Sequence, residues 1–230
     1  MVSDIHYNKK SFHGQDQSKA FDWLYRIVEK EKPDLLLSAG DFGGDSNPEL
    51  FLPIVRSTYL LTIYGNHDNV ELIQTLRNRD GSLCLLQDGL VRSHENLKIA
   101  GINGNIARIK RKIHQKTVEE VREIISKYAQ LMKTIDVFVT HEAPMHELIS
   151  REKTTLGHEI FNEAIQEIKP KVHLCGHVHI PSQILRMNNT SLVNLDSSTR
   201  HQEYVLAEYK EKEICDIRVI YPNARKHHFL

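Results

Sequence analysis

Short unbroken apolar runs alternate along the chain with stretches whose apolar residues recur at helical spacing, and this alternation predicts an α/β protein. Residues 16–31 set Ala20, Trp23, Leu24, Ile27 and Val28 on one helical face, and Pro33 stops them. The run 34–39 then reads as a buried strand ending at Gly40-Asp41. A helix from about Pro48 to Arg56 follows, weakened or kinked by Pro53. Residues 59–64 form a second buried strand ending at Gly65-Asn66, and residues 69–78 return to helical spacing. Strand, helix, strand, helix predicts a largely parallel sheet at the front of the chain.

The middle and the back differ. Residues 83–86 and 97–102 read as strands, and Thr117 opens a helix through about Lys133, with Glu120 completing a capping box. Ile135 to Thr140 is a strand, residues 157–168 a helix closed by Lys169-Pro170, and Val172 to Cys175 a strand. Beyond that point only strands are expected, at about 182–187, 191–195, 203–210 and 213–220, with a hairpin turn at Asn188-Asn189. The expectation is one domain over 1–230, a four-layer sandwich of two mixed β-sheets packed face to face with helices outside.

Composition narrows the class without naming a chemistry. Hydrophobic residues make up 40% and charged residues 26% of the 230, as in an ordinary globular protein. No apolar run approaches the roughly 20 residues that span a bilayer, so no membrane association is expected. Three cysteines without paired spacing suit a reducing cytoplasm better than a disulfide framework. Thirty basic and thirty acidic residues cancel, which argues against a general polyanion binder. Only Met1, Val2 and Ser3 precede Asp4, so the first strand is very short or further residues precede it in the natural chain.

The candidate chemistry lies at the strand ends. Asp4-Ile5-His6, Gly40-Asp41, Gly65-Asn66-His67-Asp68, Thr140-His141 and Gly176-His177-Val178-His179 stand in that order, several directly after an apolar run. Residues i and i+2 at a strand end point to one side, so Asp4 with His6, and His177 with His179, can each meet one cation. Carboxylate, imidazole and amide oxygen form a mixed N/O set without thiolate, suited to Mn, Fe, Zn, Co or Ni. Singly, each such residue is as readily a loop carboxylate, a cap or a packed histidine.

Together the five blocks resemble the signature of the calcineurin-like metallophosphoesterases, over residues from about 3 to 179. The resemblance implies that Asp4, His6, Asp41 and His179 hold one divalent metal and Asp41, Asn66, His141 and His177 the other, with Asp41 bridging and manganese the leading choice. It implies that the pair polarises a shared water to hydroxide for an in-line displacement at phosphorus. His67, beside Asn66, would protonate the leaving oxygen, with Asp68 placed to orient it or raise its pKa. Asn66 would also contact a phosphate oxygen.

Departures from the family choose a branch. The block 40–45 lacks the phosphate-binding Arg of the protein Ser/Thr phosphatases, and His67 stands where the lipid A pathway hydrolases carry Arg. The roughly 50 residues after His179 are too few for the cap of the double-strand-break nucleases. A compact, uncapped phosphodiesterase of bacterial or archaeal type is what remains, acting on cyclic nucleotides, nucleotide derivatives or nucleic-acid ends. A phosphomonoesterase, a nuclease subunit that needs a partner, and a non-catalytic scaffold like the retromer subunit of this fold are the alternatives. The oligomeric state stays open. The basic stretch Arg108, Lys110, Arg111, Lys112, His114 and Lys116 reads as a solvated loop or as a phosphate contact at the cleft rim. His94, His146, His158, His173 and His201 read as surface or core residues, His146 and His201 being also open to a place by the cleft. Arg225 to His228 form a basic tail.

Overall fold

The computed structural model describes residues 1–9, 11, 14–131, 135–149 and 156–221. The expected tail 225–228 and the end of the long helix at Lys133 lie outside these, as does part of the loop 143–156.

The front half builds one sheet and its helical cover. Helix α1 (Ala20–Glu31) buries Ala20, Phe21, Trp23, Leu24 and Val28 and ends as Lys32 turns left-handed, its N–H bonded to the Val28 carbonyl. Strand β1 (Leu35–Ser38) follows, then helix α2 (Pro48–Ser57), whose N-cap Asn47 accepts from the Leu50 amide. Pro53 sits inside α2 and the helix runs on past it, since the ring removes a single backbone donor. Strand β2 (Tyr59–Thr62) pairs with β1 in parallel, Leu36 opposite Leu60 and Ser38 opposite Thr62. Helix α3 (Val70–Thr75), capped by Asn69, is shorter than its pattern promised.

Strand β3 (Arg92–His94) and strand β4 (Leu97–Ile102) form a hairpin that opens the second sheet. Two short strands, β5 (Asn105–Ile106) and β6 (Gln115–Lys116), pair in parallel before helix α4 (Val118–Leu131). The capping box at its start is present: Glu120 Oε2 accepts from the Thr117 amide and Thr117 Oγ1 from the Glu120 amide. Strand β7 (Val137–Thr140), helix α5 (Leu156–Ile168), strand β8 (Val172–Cys175), and the hairpin of β9 (Gln183–Met187) with β10 (Thr190–Asn194) complete the six-stranded order β3-β4-β7-β8-β10-β9. Its interior strands β4, β7, β8 and β10 run parallel, and β3 and β9 close the edges antiparallel. A last hairpin, β11 (Tyr204–Lys210) with β12 (Glu213–Ile220), forms a two-stranded sheet of its own, and its Val205 bonds back to Met1.

The four layers follow from the burial. Leu37, Leu61 and Ile63 of the front sheet share one apolar cluster with Ile99, Val137, Val139, Leu174 and Val193 of the second. A separate cluster fills the space between the front sheet and α1, α2 and α3, and another lies under α4 and α5. The expected two-sheet sandwich with outer helices is therefore the observed one; the six-stranded sheet is mixed, and the paired front strands β1 and β2 run parallel.

Two expectations change. Residues 83–86 are no strand but an extended tie, with Thr62 N donating to the Cys84 carbonyl and Leu86 N to the Thr62 carbonyl (2.9 and 2.7 Å). The very short first strand is a single bridge, Val2 to Ser38, which a second contact supports from the other side: Val205 N donates to the Met1 carbonyl at 3.1 Å.

Candidate metal centre

Four of the candidate blocks follow the ends of β1, β2, β7 and β8, and the fifth, residues 4–6, runs beside the end of β1. The backbone there is unusual. Asp4, His6, Asp41, His177 and His179 all have positive φ, between 49° and 71°. A non-glycine residue in that region costs about 1–2 kcal/mol, so five together need support. Residues 4–7 obtain it by running beside 40–42: Asp4 N donates to the Gly40 carbonyl, His6 N to Asp41 and Tyr7 N to Phe42, at 3.0, 2.8 and 2.7 Å. Glycine is required where backbone and ligand touch. A Cβ on Gly65 would strike Asp41 Oδ1, and one on Gly176 would strike Asp4 Oδ2.

The side chains converge on two carboxylates. His6 Nε2 lies 3.3 Å from Asp4 Oδ1 and 3.2 Å from His179 Nε2. His141 Nε2 lies 3.2 Å from Asp41 Oδ2, 3.1 Å from Asn66 Oδ1 and 3.2 Å from His177 Nδ1. Asp4 Oδ1 and Asp41 Oδ2 are buried and accept no hydrogen bond among the described residues, although both point into this group of donors. Buried, unsatisfied carboxylate oxygens facing imidazole nitrogens are what a pair of divalent cations would satisfy, so the residues fit such a centre. Seven residues singled out in the sequence, Asp4, His6, Asp41, Asn66, His141, His177 and His179, thus meet in one place.

The surroundings fix these groups. Asp4 Oδ2 accepts from Ser3 Oγ and the His177 amide (2.6 and 2.9 Å). His141 Nδ1 lies 2.9 Å from the Ala39 carbonyl, which assigns the proton to Nδ1 and turns Nε2 inward. Asp41 Oδ1 accepts from the His67 amide at 2.8 Å, and the His67 ring stands edge-on to His6 with centroids 5.3 Å apart. The sequence reading gave Asp68 to the His67 ring. In the structure its two oxygens accept from the amides of Asp41, Phe42, Gly65 and, more weakly, Gly43, so Asp68 ties the second block to the third.

Sequence reasoning missed Asp196. Its Oδ2 lies 3.5 Å from His179 Nδ1 and 2.8 Å from His201 Nδ1, and Oδ1 accepts from the Ser198 amide. The signal was present, since Asp196 follows an apolar strand just as Asp41 does. His201 therefore does lie by the cleft. His173 is a core residue, bonded to Thr140 and packed against Phe138, and His94 stacks on Tyr59.

Burial and mutual charge set the protonation of the metal-free group. Burial would raise the Asp4 carboxyl, yet His6, His141 and His179 outweigh it and hold it below the usual range. Burial would lower His141, but Asp41, Asp4 and the Ala39 carbonyl overcome it and raise the ring to about 10. His177 falls to about 4 through burial and the neighbouring His141. Asp68 is pushed up to about 6 by burial and by Asp41. A folded pKa raised above the unfolded 6.5 stabilises fully below pH 6.5 and is lost as pH rises through about 10. The melting temperature of metal-free protein should therefore fall by about 5 °C or more across that interval; a flat or rising profile would show that His141 is not held protonated.

Comparison with known proteins agrees with this picture. No curated protein sequence matches the chain. Among solved structures, TT1561 of Thermus thermophilus superposes with a TM-score of 0.67 at 12% identity over 96% of both chains. A dimetal phosphatase from Danio rerio gives 0.55 at 10% identity, over 85% of each chain. The phosphopantetheinyl hydrolase PptH of Mycobacterium tuberculosis gives 0.52 at 14%, over 86% of this chain and 87% of that one. At such identities the likeness is one of fold. The family model for calcineurin-like phosphoesterases matches residues 1–181, and the chain belongs to that family.

Proposed function

We propose that the protein is a dimetal phosphodiesterase. One divalent ion is held by Asp4, His6, Asp41 and His179, the other by Asp41, Asn66, His141 and His177, with Asp41 shared and manganese the favoured metal. The observation that carries this reading is the pair of unsatisfied oxygens, Asp4 Oδ1 and Asp41 Oδ2, enclosed by imidazoles of which His141 and His179 have their outer nitrogens engaged by Ala39 and Asp196. When bound, such a metal pair supplies an activated water and neutralises the charge that builds on the phosphoryl oxygens.

The chain's own residues do the rest. His67 Nε2 or Nδ1 gives a proton to the leaving oxygen, on a residue whose backbone N–H is held by a hydrogen bond to Asp41 Oδ1. Asn66 binds a phosphate oxygen beside its metal. Asp68 holds Gly65-Asn66-His67 onto Asp41-Phe42 and so keeps acid and ligands in register. A diester carries one negative charge where a monoester near neutral pH carries close to two. The block 40–45 offers no arginine for the second charge, which supports the diester. The three cysteines are free thiols, in keeping with a cytoplasmic setting. Among the described residues no helix is long and apolar enough to cross a membrane.

The test strips the protein of metal, reloads it with manganese, and compares bis(4-nitrophenyl) phosphate with 4-nitrophenyl phosphate. Metal-dependent turnover favouring the diester is expected. Turnover of the monoester alone would make the protein a phosphatase, and no turnover with metal bound would favour the partner-dependent nuclease or the scaffold.

Asp196 acts through His179. Asp196→Asn should weaken one of the two manganese ions by about 10- to 100-fold and leave the other in place. Manganese titration followed by electron paramagnetic resonance reads this directly, and two unchanged affinities would remove Asp196 from the site.

A further inference from the structure

The loop between β5 and β6 is built onto the candidate centre. Gly104 N donates to the carbonyl of Tyr64, the residue before Gly65-Asn66, at 2.7 Å. Ile106 N donates to Oε1 of Glu142, the residue after His141, at 2.6 Å. The loop is closed across itself: Asn105 N donates to the His114 carbonyl and Ala107 N to the Lys116 carbonyl (3.0 and 2.8 Å). Gln115 Oε1 accepts from the amides of Arg111 and Lys112 at 2.9 and 3.1 Å. Gly104 has φ +82°, and a Cβ there would strike the His114 carbonyl, so the foot of the loop admits only glycine without rearrangement.

Several of its cations are already engaged. Lys116 is buried, paired to Asp88 at 2.9 Å. Lys110 pairs with Glu120 at 3.0 Å, and Arg108 lines a cleft with Glu119, Arg122 and Glu163 of α4 and α5. His114 stands at the foot of the loop, its carbonyl held by Asn105 N beside the bond from Gly104 to Tyr64, and Lys112 lies two residues before it. Burial holds the half-buried His114 ring below its ordinary pKa, Lys112 pushes it the same way, and Asp41 and His141 act on it in opposite directions. That ring is within electrostatic reach of the centre, and Lys112 is within reach of the ring.

We propose that Lys112 and His114 form an anion subsite beside the metal centre, which selects substrates carrying a second phosphate besides the one that reacts. The subsite rests on the phosphodiesterase reading and narrows it. An exposed ammonium and an imidazole N–H on a loop pinned to two of the candidate ligand turns offer donors to a second phosphate, and the charge-assisted bond of the ammonium suits a phosphate oxygen. The balanced overall charge leaves this local pair as a specific contact rather than a general attraction to polyanions. An oligonucleotide and a doubly phosphorylated nucleoside both supply the required group.

The experiment uses the full chain loaded with manganese and two esters, thymidine 5′-(4-nitrophenyl phosphate) and its 3′-phosphorylated analogue. The 3′-phosphate should lower KM by about tenfold with little change in kcat. That preference should collapse to about onefold in Lys112→Ala and His114→Ala and persist in Lys110→Ala. Equal KM values for the two esters in the unmodified protein, or a preference that survives Lys112→Ala, would overturn the subsite. Calorimetric binding of thymidine 3′,5′-bisphosphate and thymidine 5′-monophosphate separates this from the parent reading. If neither ester turns over, the phosphodiesterase fails; tighter binding of the bisphosphate, lost in Lys112→Ala, would still establish the subsite, and equal binding would refute it. A thymidine oligonucleotide that displaces the bisphosphate identifies a strand as the source, and displacement by mononucleotides alone identifies a free nucleotide.

Discussion

Asp41→Asn is expected to abolish the paired metal centre and to cut turnover by on the order of 10³ or more. Asp41 Oδ2 stands 3.2 Å from His141 Nε2 and 3.8 Å from His6 Nε2, between the two halves of the ligand group. Its other oxygen holds the His67 amide, and an asparagine oxygen can keep that bond. The new NH2 group must then point at the imidazoles and at any cation among them, donors against donors. Metal content should fall from two per chain to one or none, which elemental analysis after gel filtration reads. The metal-free protein should change too. Asp41 is the main counterweight to burial at His141, so without it that ring falls below about 10 and the loss of stability between pH 6.5 and 10 shrinks. Two metals held with undiminished affinity would show that Asp41 is no bridge.

His67→Ala should instead keep both metals and lose chemistry. The backbone bond from residue 67 to Asp41 survives the substitution, and the His67 ring is none of the nitrogens gathered around Asp4 Oδ1 and Asp41 Oδ2. General-acid assistance contributes about 10²- to 10⁴-fold, and the gain is largest where the leaving oxygen is most basic. The deficit should therefore reach about 10³ on a diester with an alkyl leaving group and shrink to about tenfold on a 4-nitrophenyl ester, whose phenolate needs little help. A deficit of the same size on both esters would assign His67 to positioning. An unchanged rate would remove it from the reaction.

Most of the frame could be read from the chain, for reasons visible in particular residues. Leu35 to Ser38, Tyr59 to Thr62, Val137 to Thr140 and Val172 to Cys175 are buried on both faces, so their sequences are continuous apolar runs. Ligands directly after such runs advertise themselves. What escaped has little periodicity to offer. Arg92-Ser93-His94 is a polar edge strand held by its hairpin, and β5 and β6 are two residues each. Residues 83–86 are apolar enough for a strand, yet they serve the core with one bridge to Thr62. At the centre, residue types were legible and directions were not. Asp68 was legible as an acceptor beside His67, and that its oxygens hold the amides of Asp41, Phe42 and Gly65 was not. The left-handed φ of Asp4, His6 and Asp41 belongs to tertiary pairing between two turns, which local propensity does not encode.

The bridge from Met1 to Val205 has a consequence for how the molecule is made. Asp4 is presented by a stretch of backbone gripped on one flank by Leu37 and Ala39 and on the other by a hairpin some 200 residues later. During synthesis Asp4 emerges before the other candidate ligands, but its second flank follows all of them, so nascent chains carry the candidate ligands without a finished cradle until that hairpin is made. Contacts this distant in sequence also close slowly. On the proposed reading, a cation captured early would meet imidazoles not yet fixed in place, and discrimination among metals is expected only once the hairpin has docked. Release of the hairpin, by cutting near residue 200, should leave a chain that still collects divalent ions yet no longer tells one from another.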